Sequence, residues 1–483
     1  ASELEAMDGQ MSMFGMANGL GAREDTCRAE DESRETKEDN SAGEPVPAAK
    51  EAPAEASRET LEKEGGLNKE QIQAVRSAAP QIAVVAGPGT GKTKTLVSRI
   101  LYLLQNRRVK PSEITAVTFT NKAAKEMRKR LEQQLGGKKN TRNLHINTIH
   151  GLCYEILKTS GEEFFLADEE TALEVAEETV KELEIKERPE KLRQLISRKK
   201  TALLEEEAVL EFPYINQASE LYNKKLAALH GLDFDDLLVK ALELAENRKE
   251  SLKSFTYLLV DEFQDISPIQ YRLIQEWSRG GREVFLIGDP NQSIYGFRGA
   301  DPGSFGKFEE EQKAEVIRLR KNYRSAPEIL KAAQEVLKDF NGLEPVRPSG
   351  LPVRLVQTSG EMAEAIFVAK EINRLVGGID MLDMEEGFSC TGERTPRSFK
   401  DIAVLYRTHR QAELLEKCLK KEGIPYVVTG RESFLKEPCV QGSLAFFRSL
   451  VNPGDVLSHR LCLKLLWNLG EESTSQCPYE ALA

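Results

Sequence analysis

IAVVAGPGTGKTKTLVSRILYLL, residues 82–104, is the stretch on which the fold turns. Residues 82–85 form a short continuous apolar run, the loop that follows carries glycines at 87, 89 and 91, and residues 92–104 resume with helical spacing. A strand, a glycine-rich loop and a helix in that order are the setting of a phosphate-binding loop. Glycines let backbone N–H groups converge on phosphate oxygens, and the N-terminus of the helix adds positive potential. In the segment Ala86-Gly87-Pro88-Gly89-Thr90-Gly91-Lys92-Thr93, Lys92 is placed to reach the terminal phosphates of a nucleotide and Thr93 to ligate Mg²⁺.

Outward from this loop, further apolar runs occur at 114–119, 145–149, 256–261 and 284–288, separated by amphipathic stretches. Continuous rather than alternating apolar strands predict a parallel sheet covered by helices on both faces, an α/β fold. Between the runs at 145–149 and 256–261, residues 160–232 are charged and helical in pattern, as an inserted helical subdomain would be. After residue 315 a second α/β series is expected, with strands at 316–319, 353–357, 402–406 and 426–429 and a polar loop at 379–399. Residues 458–483 read as one helix with a polar tail, and Trp277 and Trp467 as core residues of helical stretches.

The run LLVDEFQD, residues 258–265, delivers two adjacent carboxylates from the end of an apolar strand. Ligands of α/β sheets sit at that edge. Asp261 suits a Mg²⁺ ligand, and Glu262 suits the base that orients and deprotonates an attacking water.

The net charge of −11 is unevenly distributed. Residues 1–65 contain 17 acidic and 7 basic side chains, which leaves 61 acidic against 60 basic in the remainder. That tail is poor in large apolar residues and reads as disordered, whereas a near-neutral body can still carry a local basic track. Such a track is offered by Lys122, Lys125, Arg128, Lys129, Arg130, Lys138, Lys139 and Arg142, set against Glu126 and Glu132. It serves either to follow phosphates or simply as a solvated helix face. The seven cysteines are scattered and lack C-x-x-C spacing, which argues against a disulfide framework or zinc site and fits a reducing cytoplasm. No run approaches eighteen apolar residues, so no membrane-spanning helix is expected.

Residues 67–457 resemble the UvrD/Rep/PcrA group of superfamily 1A DNA helicases. Leu67-Asn68-x-x-Gln71 resembles the Q motif, Thr118-Phe119-Thr120-Asn121-Lys122-Ala123-Ala124 motif Ia, and Asn147-Thr148-Ile149-His150-Gly151 the next DNA-contact motif. Asp233-Phe234-Asp235-Asp236-Leu237-Leu238 matches the segment that precedes the carboxylate-bearing strand. Gly288-Asp289-Pro290-Asn291-Gln292-Ser293-Ile294-Tyr295-Gly296-Phe297-Arg298-Gly299-Ala300 resembles motif III, and Leu319-x-x-Asn322-Tyr323-Arg324-Ser325 motif IV.

The resemblance implies a RecA-like ATP-binding domain (1A, residues 66–315) with a helical insertion (1B), then a partial second RecA-like domain (2A, 316–457) and the start of a helical 2B insertion. It implies that Gln71 reads the adenine edge, Tyr323 stacks on the adenine, and Arg324 acts as an arginine finger from the second α/β domain. It implies that Gln292 senses the γ-phosphate, that Tyr295 and Phe297 stack on single-stranded bases with Arg298 beside them, and that Phe119, Thr120, Asn121, Lys122 and His150 contact DNA. The activity implied is ATP-driven 3′→5′ translocation on single-stranded DNA and unwinding at single-strand/duplex junctions in repair or replication.

Motifs V and VI of that family do not occur before Ala483, and the chain starts at Ala1 rather than Met. The expectation is therefore a fragment that binds ATP and single-stranded DNA weakly and unwinds nothing by itself. Gln10-Met11-Ser12-Met13-Phe14 resembles the peptide by which bacterial replication and repair proteins dock on the sliding clamp. Two alternatives remain open: a non-motor ATP switch or clamp-docking adaptor, and the motor part of a RecB/AddA-type helicase–nuclease.

Overall fold

The computed structural model describes residues 66–201, 212–247, 255–296, 299–337, 342–377, 397–429, 437–451 and 456–469. The clamp-like peptide at 10–14 and the whole of 1–65 lie outside these residues, as do Phe297, Arg298 and the loop at 379–399.

Helix α1 (Lys69–Arg76) leads into β1 (Gln81–Ala86), which ends at the P-loop, and α2 (Lys92–Gln105) follows. Then come β2 (Ile114–Thr118), α3 (Asn121–Gln134), β3 (His145–Thr148) and α4 (Ile149–Thr159). The strand β4 (Phe165–Leu166), helices α5 (Glu169–Glu182), α6 (Pro189–Lys200) and α7 (Ile215–Ala228), and strand β5 (Gly231–Leu232) come next. The chain rejoins the sheet layers with α8 (Phe234–Glu246), β6 (Tyr257–Val260), α9 (Pro268–Ser278), β7 (Glu283–Gly288), α10 (Ser304–Gln312) and β8 (Glu315–Leu319).

The six long strands form one sheet in the order β3-β2-β6-β7-β1-β8, and every pairing is parallel. Parallel strands bury both faces, and alternate residues supply two cores. Tyr257 and Leu259 face α2 and α3, joining Leu96, Ile100, Met127 and Leu131. Leu258 and Val260 face the other way, joining Leu152, Leu237, Leu273 and Trp277. Helices α5–α7 bury a third core of their own around Val175, Leu192, Ile196, Ile215 and Tyr222.

One expected strand joins a different sheet from the one foreseen. Residues 316–319, expected to open the second series, lie in β8, which pairs with β1 at the edge of the first sheet, Ala83 opposite Val316 and Ala86 opposite Leu319. An apolar run records that a strand forms, not which sheet it extends. Beyond β8 the chain turns through β9 (Lys321–Asn322), α11 (Pro327–Val336) and β10 (Glu344–Pro345), and β9 and β10 pair in parallel.

The described residues divide into two compact units, one from 66–353 and 432–483, the other from 354–431. In the second unit α12 (Glu361–Val376) packs on α13 (His409–Lys421) through Ala365, Ala369, Ile372, Cys418 and Leu419. The stretches 353–357, 402–406 and 426–429, expected as strands, are not strands here. Ile402, Val404 and Tyr426 pack on the helices, but Leu355, Leu405 and Val427 are 100%, 92% and 88% exposed. A parallel ladder needs neighbours on its polar edges, and no described residue of this unit supplies one.

The hairpin of α14 (Pro438–Val451) and α15 (Val456–Leu466) belongs to the first unit, where Arg448 pairs with Asp168 and Arg460 Nη1 lies 2.7 Å from Glu178 Oε1. Trp277 is fully buried as expected, but Trp467 is 51% exposed, because it follows the last turn of α15 and has a tilted contact with Phe446. No helix of the described residues is long and apolar enough to cross a membrane.

Candidate nucleotide site and nucleic-acid interface

The P-loop runs from the C-terminal end of β1 to the first turn of α2 with Gly89 and Gly91 at φ +71° and +89°. These left-handed conformations suit glycine. They also allow close approach: a Cβ on Gly89 would lie 2.6 Å from Arg324 Cβ, and one on Gly91 would lie 2.7 Å from Gln71 Nε2. Within the loop, Thr90 Oγ1 donates to Gly87 O at 2.7 Å.

Gln71 braces the loop from outside. Its Nε2 donates to Thr90 O at 2.8 Å, and its Oε1 accepts from Asn68 N at 3.0 Å in the capping box of α1. Each end of this amide makes one bond to protein, which fixes its orientation and leaves a second N–H and a second lone pair for an adenine edge.

Lys92 Nζ lies 3.0 Å from Glu262 Oε2, across the sheet edge from the end of β6. Asp261 beside it is buried, and Glu262 N donates to its Oδ1 at 3.0 Å. Burial, and then the charge of Glu262, push the Asp261 carboxyl up to about 7, with Lys92 opposing. Burial and Glu262 likewise raise Asp265 to about 6. Three crowded carboxylates facing one ammonium leave negative charge in need of a cation. The Asp261 carboxylate, and the hydroxyl of Thr93 in the first turn of α2, are hard oxygen ligands of the kind Mg²⁺ takes. Among the described residues no group of three or more His, Cys, Asp or Glu is arranged to hold a metal alone. Mg²⁺ fits this setting, since it keeps several waters and is held by one or two protein oxygens plus substrate phosphates.

Residues 321–325 close over the P-loop within the same compact unit. Asn322, fully buried, donates from Nδ2 to Pro88 O at 2.5 Å and accepts at Oδ1 from Arg324 N and Ser325 N. Tyr323 N donates to Gly89 O at 2.9 Å, and the Tyr323 hydroxyl accepts from Asn68 Nδ2 at 3.1 Å. The rings and charges expected to meet the nucleotide, Tyr323 and the exposed Arg324, are thus fixed beside the phosphate loop by their own backbone. Asn322 was not singled out by sequence. Its position in the Asn322-Tyr323-Arg324-Ser325 run was the available signal, an Asn able to bond backbone two and three residues on.

At the neighbouring strand ends, Phe119 follows β2 and Tyr295 lies in the loop after β7. Their rings stack with centroids 5.3 Å apart and planes 23° apart. Thr120 caps α3 by accepting from Ala123 N at 3.1 Å, which presents Asn121 and Lys122 at the helix start. Lys122, Lys125, Lys129, Arg130, Lys138, Lys139 and Arg142 are exposed, while Arg128 donates inward to Ile146 O. Gln292 donates to Asp289 Oδ2 at 2.7 Å. His150 packs edge-to-face on Phe234 at 5.8 Å, and burial lowers it to about 4, so it is a neutral imidazole. A cavity of about 280 Å³ opens beside it, lined among others by Phe119, Thr120, Tyr222 and Asp235.

The segment 233–238 has a structural task. Asp233 caps α8 by accepting from Asp236 N at 2.8 Å, and Lys200 Nζ bonds Asp233 Oδ2 at 2.7 Å and Asp236 Oδ1 at 2.8 Å. Tyr222 donates to Asp233 at 3.1 Å, so one carboxylate ties two helices of the inserted bundle to α8.

A parallel sheet whose strand ends carry a glycine-rich phosphate loop, an opposed lysine–glutamate pair and a buried aspartate defines a P-loop nucleotide-binding α/β protein. Comparison with known families narrows that class. The UvrD/REP helicase N-terminal domain matches residues 67–313 and the UvrD-like helicase C-terminal domain matches 317–480, and the chain belongs to the UvrD/REP helicase family. Similar curated proteins include the ATP-dependent DNA helicase PcrA of Bacillus subtilis (strain 168), 33% identical over 81% of this chain and 54% of its own length. The protein of the same name from Staphylococcus epidermidis is 32% identical over 81% and 55%, and that from Staphylococcus aureus 30% over 81% and 54%. The chain spans about half the length of these relatives.

Proposed function

We propose that this chain is the ATP-binding part of an ATP-driven, 3′→5′ single-stranded-DNA translocase and helicase. The observation that carries the reading is the shared sheet edge: Lys92 and Glu262 face each other at 3.0 Å, and the Phe119–Tyr295 stack sits at neighbouring strand ends. In this reading residues 66–315 are domain 1A, the bundle of α5–α7 is 1B, and the second unit belongs to 2A. Gly87 to Thr93 cradle the phosphates of ATP, Lys92 takes their charge, and Thr93 and Asp261 hold Mg²⁺, which neutralises charge developing on the transferred phosphoryl group. Glu262 positions and deprotonates water. Gln292 senses the γ-phosphate, and Arg324 stabilises charge on it while Tyr323 faces the adenine. Bases of single-stranded DNA stack on Phe119 and Tyr295, and phosphates follow Lys122 and the basic face of α3.

Titration of a fluorescent ATP analogue with Mg²⁺, and of labelled oligo-dT, tests both halves. Lys92→Ala is expected to abolish nucleotide binding. Removing both rings, in Phe119→Ala/Tyr295→Ala, is expected to weaken oligo-dT binding by about tenfold or more, stacking being worth roughly 1–3 kcal/mol per base. Nucleotide affinity untouched by Lys92→Ala, or DNA affinity untouched by loss of both rings, would refute the corresponding half.

A further inference from the structure

Between the nucleotide site and the loop that carries Gln292 and Tyr295 lies one buried side chain to which the functional reading gives no task. Gln264, 3% exposed, sits in a short 3-10 turn after β6. Its Nε2 donates to Glu262 Oε2 at 2.9 Å and, more distantly, to Asp265 Oδ2 at 3.3 Å. Its Oε1 accepts from Asp289 N at 2.9 Å, and its main-chain carbonyl accepts from Ser293 Oγ at 3.0 Å. The amide's orientation is fixed by its partners. A flip would set NH₂ against an N–H and the carbonyl against carboxylates, leaving buried polar groups opposed rather than paired.

Asp289, held by Gln264 through its N–H, accepts at its own carboxylate from Gln292 Nε2 at 2.7 Å and from Asn291 N at 3.1 Å. Ser293, held through its hydroxyl, stands two residues before Tyr295. The chain of contacts is therefore Lys92–Glu262–Gln264, then Asp289–Gln292 on one side and Ser293–Tyr295 on the other. Gly288 keeps room for the amide, since a Cβ there would lie 2.3 Å from Gln264 Oε1.

We propose that Gln264 is a positioning residue that couples the nucleotide site to the DNA-contacting loop by holding Glu262 with its NH₂ and the Asp289–Ser293 loop with its two carbonyls. The inference rests on the functional reading above. When phosphates claim Lys92, Glu262 loses its ion-pair partner, and its remaining side-chain bond is to Gln264. Movement of the carboxylate then shifts the amide, and with it the backbone that sets Gln292 and Tyr295. DNA pressing on Tyr295 moves the same relay in reverse, as reciprocal linkage requires.

The test is the ratio of affinities for a fluorescent ATP analogue with Mg²⁺, measured on the full chain with and without saturating oligo-dT. For the unaltered chain a coupling of roughly 5-fold or more is expected, the usual range for linked sites. Gln264→Glu keeps the shape and the oxygen facing Asp289 N but sets an oxygen against Glu262, and Gly288→Ala displaces the amide without altering it. In both, coupling is expected to fall below about 2-fold, the threshold being set well under that range. A merely structural role would lower thermal stability and both separate affinities while leaving their ratio intact. Folded variants that retain the ratio of the unaltered chain would overturn the relay, as would an unaltered chain with no coupling. Nucleotide binding that survives Lys92→Ala would instead refute the site itself.

Discussion

Arg99 lies in the middle of the helix that the P-loop opens, and it is fully buried. Its Nη2 is 2.6 Å from Glu283 Oε2 and its Nε 2.9 Å from Glu283 Oε1, while Nη1 donates to Val75 O and Ser77 O at 2.6 and 2.9 Å. One guanidinium thus pins α2 to β7 and closes the C-terminal end of α1. Arg99→Leu would strand a buried carboxylate, and a loss of about 3–5 kcal/mol in denaturant unfolding is expected. Adding Glu283→Gln should recover only part, because the carbonyls of Val75 and Ser77 stay unpaired. Asp235 gives a test by pH. Burial, then the charge of Asp233, raise it to about 7, against a hydrogen bond from Ser197 and the charge of Lys200, with Asp236 adding to the rise. Its folded pKa lies above the unfolded value near 4, so between about pH 4 and 7 the folded state holds the extra proton and stability falls as pH rises. Asp235→Asn is expected to raise Tm at pH 8 and to flatten this slope. A variant with the same slope as the unaltered chain would count against the assignment.

Much of the candidate site's placement was readable because the apolar strands end where the polar residues begin. β1 stops at Ala86 and β6 at Val260, and their apolar runs stop there too, so Lys92, Asp261 and Glu262 fell at the sheet edge by pattern alone. What sequence did not show was which partners these groups take without a ligand. Gln71, Asn322 and Gln264 each use a side-chain amide to hold backbone, and no periodicity marks such bonds. Nor could it place β8, whose apolar run would suit either sheet, or reveal that residues 353–357, 402–406 and 426–429 lack ladder partners. Gly89 shows how tightly elements meet. Gly89→Ala would force a left-handed conformation on alanine, costing about 1–2 kcal/mol, and would press on Asn322 and Arg324. Nucleotide affinity is expected to fall about tenfold or more, the equivalent of some 1.4 kcal/mol. An unchanged titration would show that the β9 segment moves aside freely.

At the scale of the whole chain the two units differ in how completely they bury themselves. The first covers its sheet with helices on both faces, whereas among the described residues of the second Leu355, Leu405 and Val427 lie in solvent. Exposed large apolar side chains invite association with other chains. Concentration-dependent self-association, followed by light scattering, is expected to fall when Leu355 and Leu405 are replaced by lysine. Equal association of the variant would place the sticky surface elsewhere. The grip of residues 321–325 on the P-loop has a mechanical consequence. Tyr323 N and Asn322 Nδ2 hold Gly89 O and Pro88 O, and the same polypeptide runs on to the second unit. Tension along that stretch would pull on the walls of the phosphate pocket. Because those bonds reach the loop's own carbonyl oxygens, pull on this stretch and the shape of the phosphate pocket would change together.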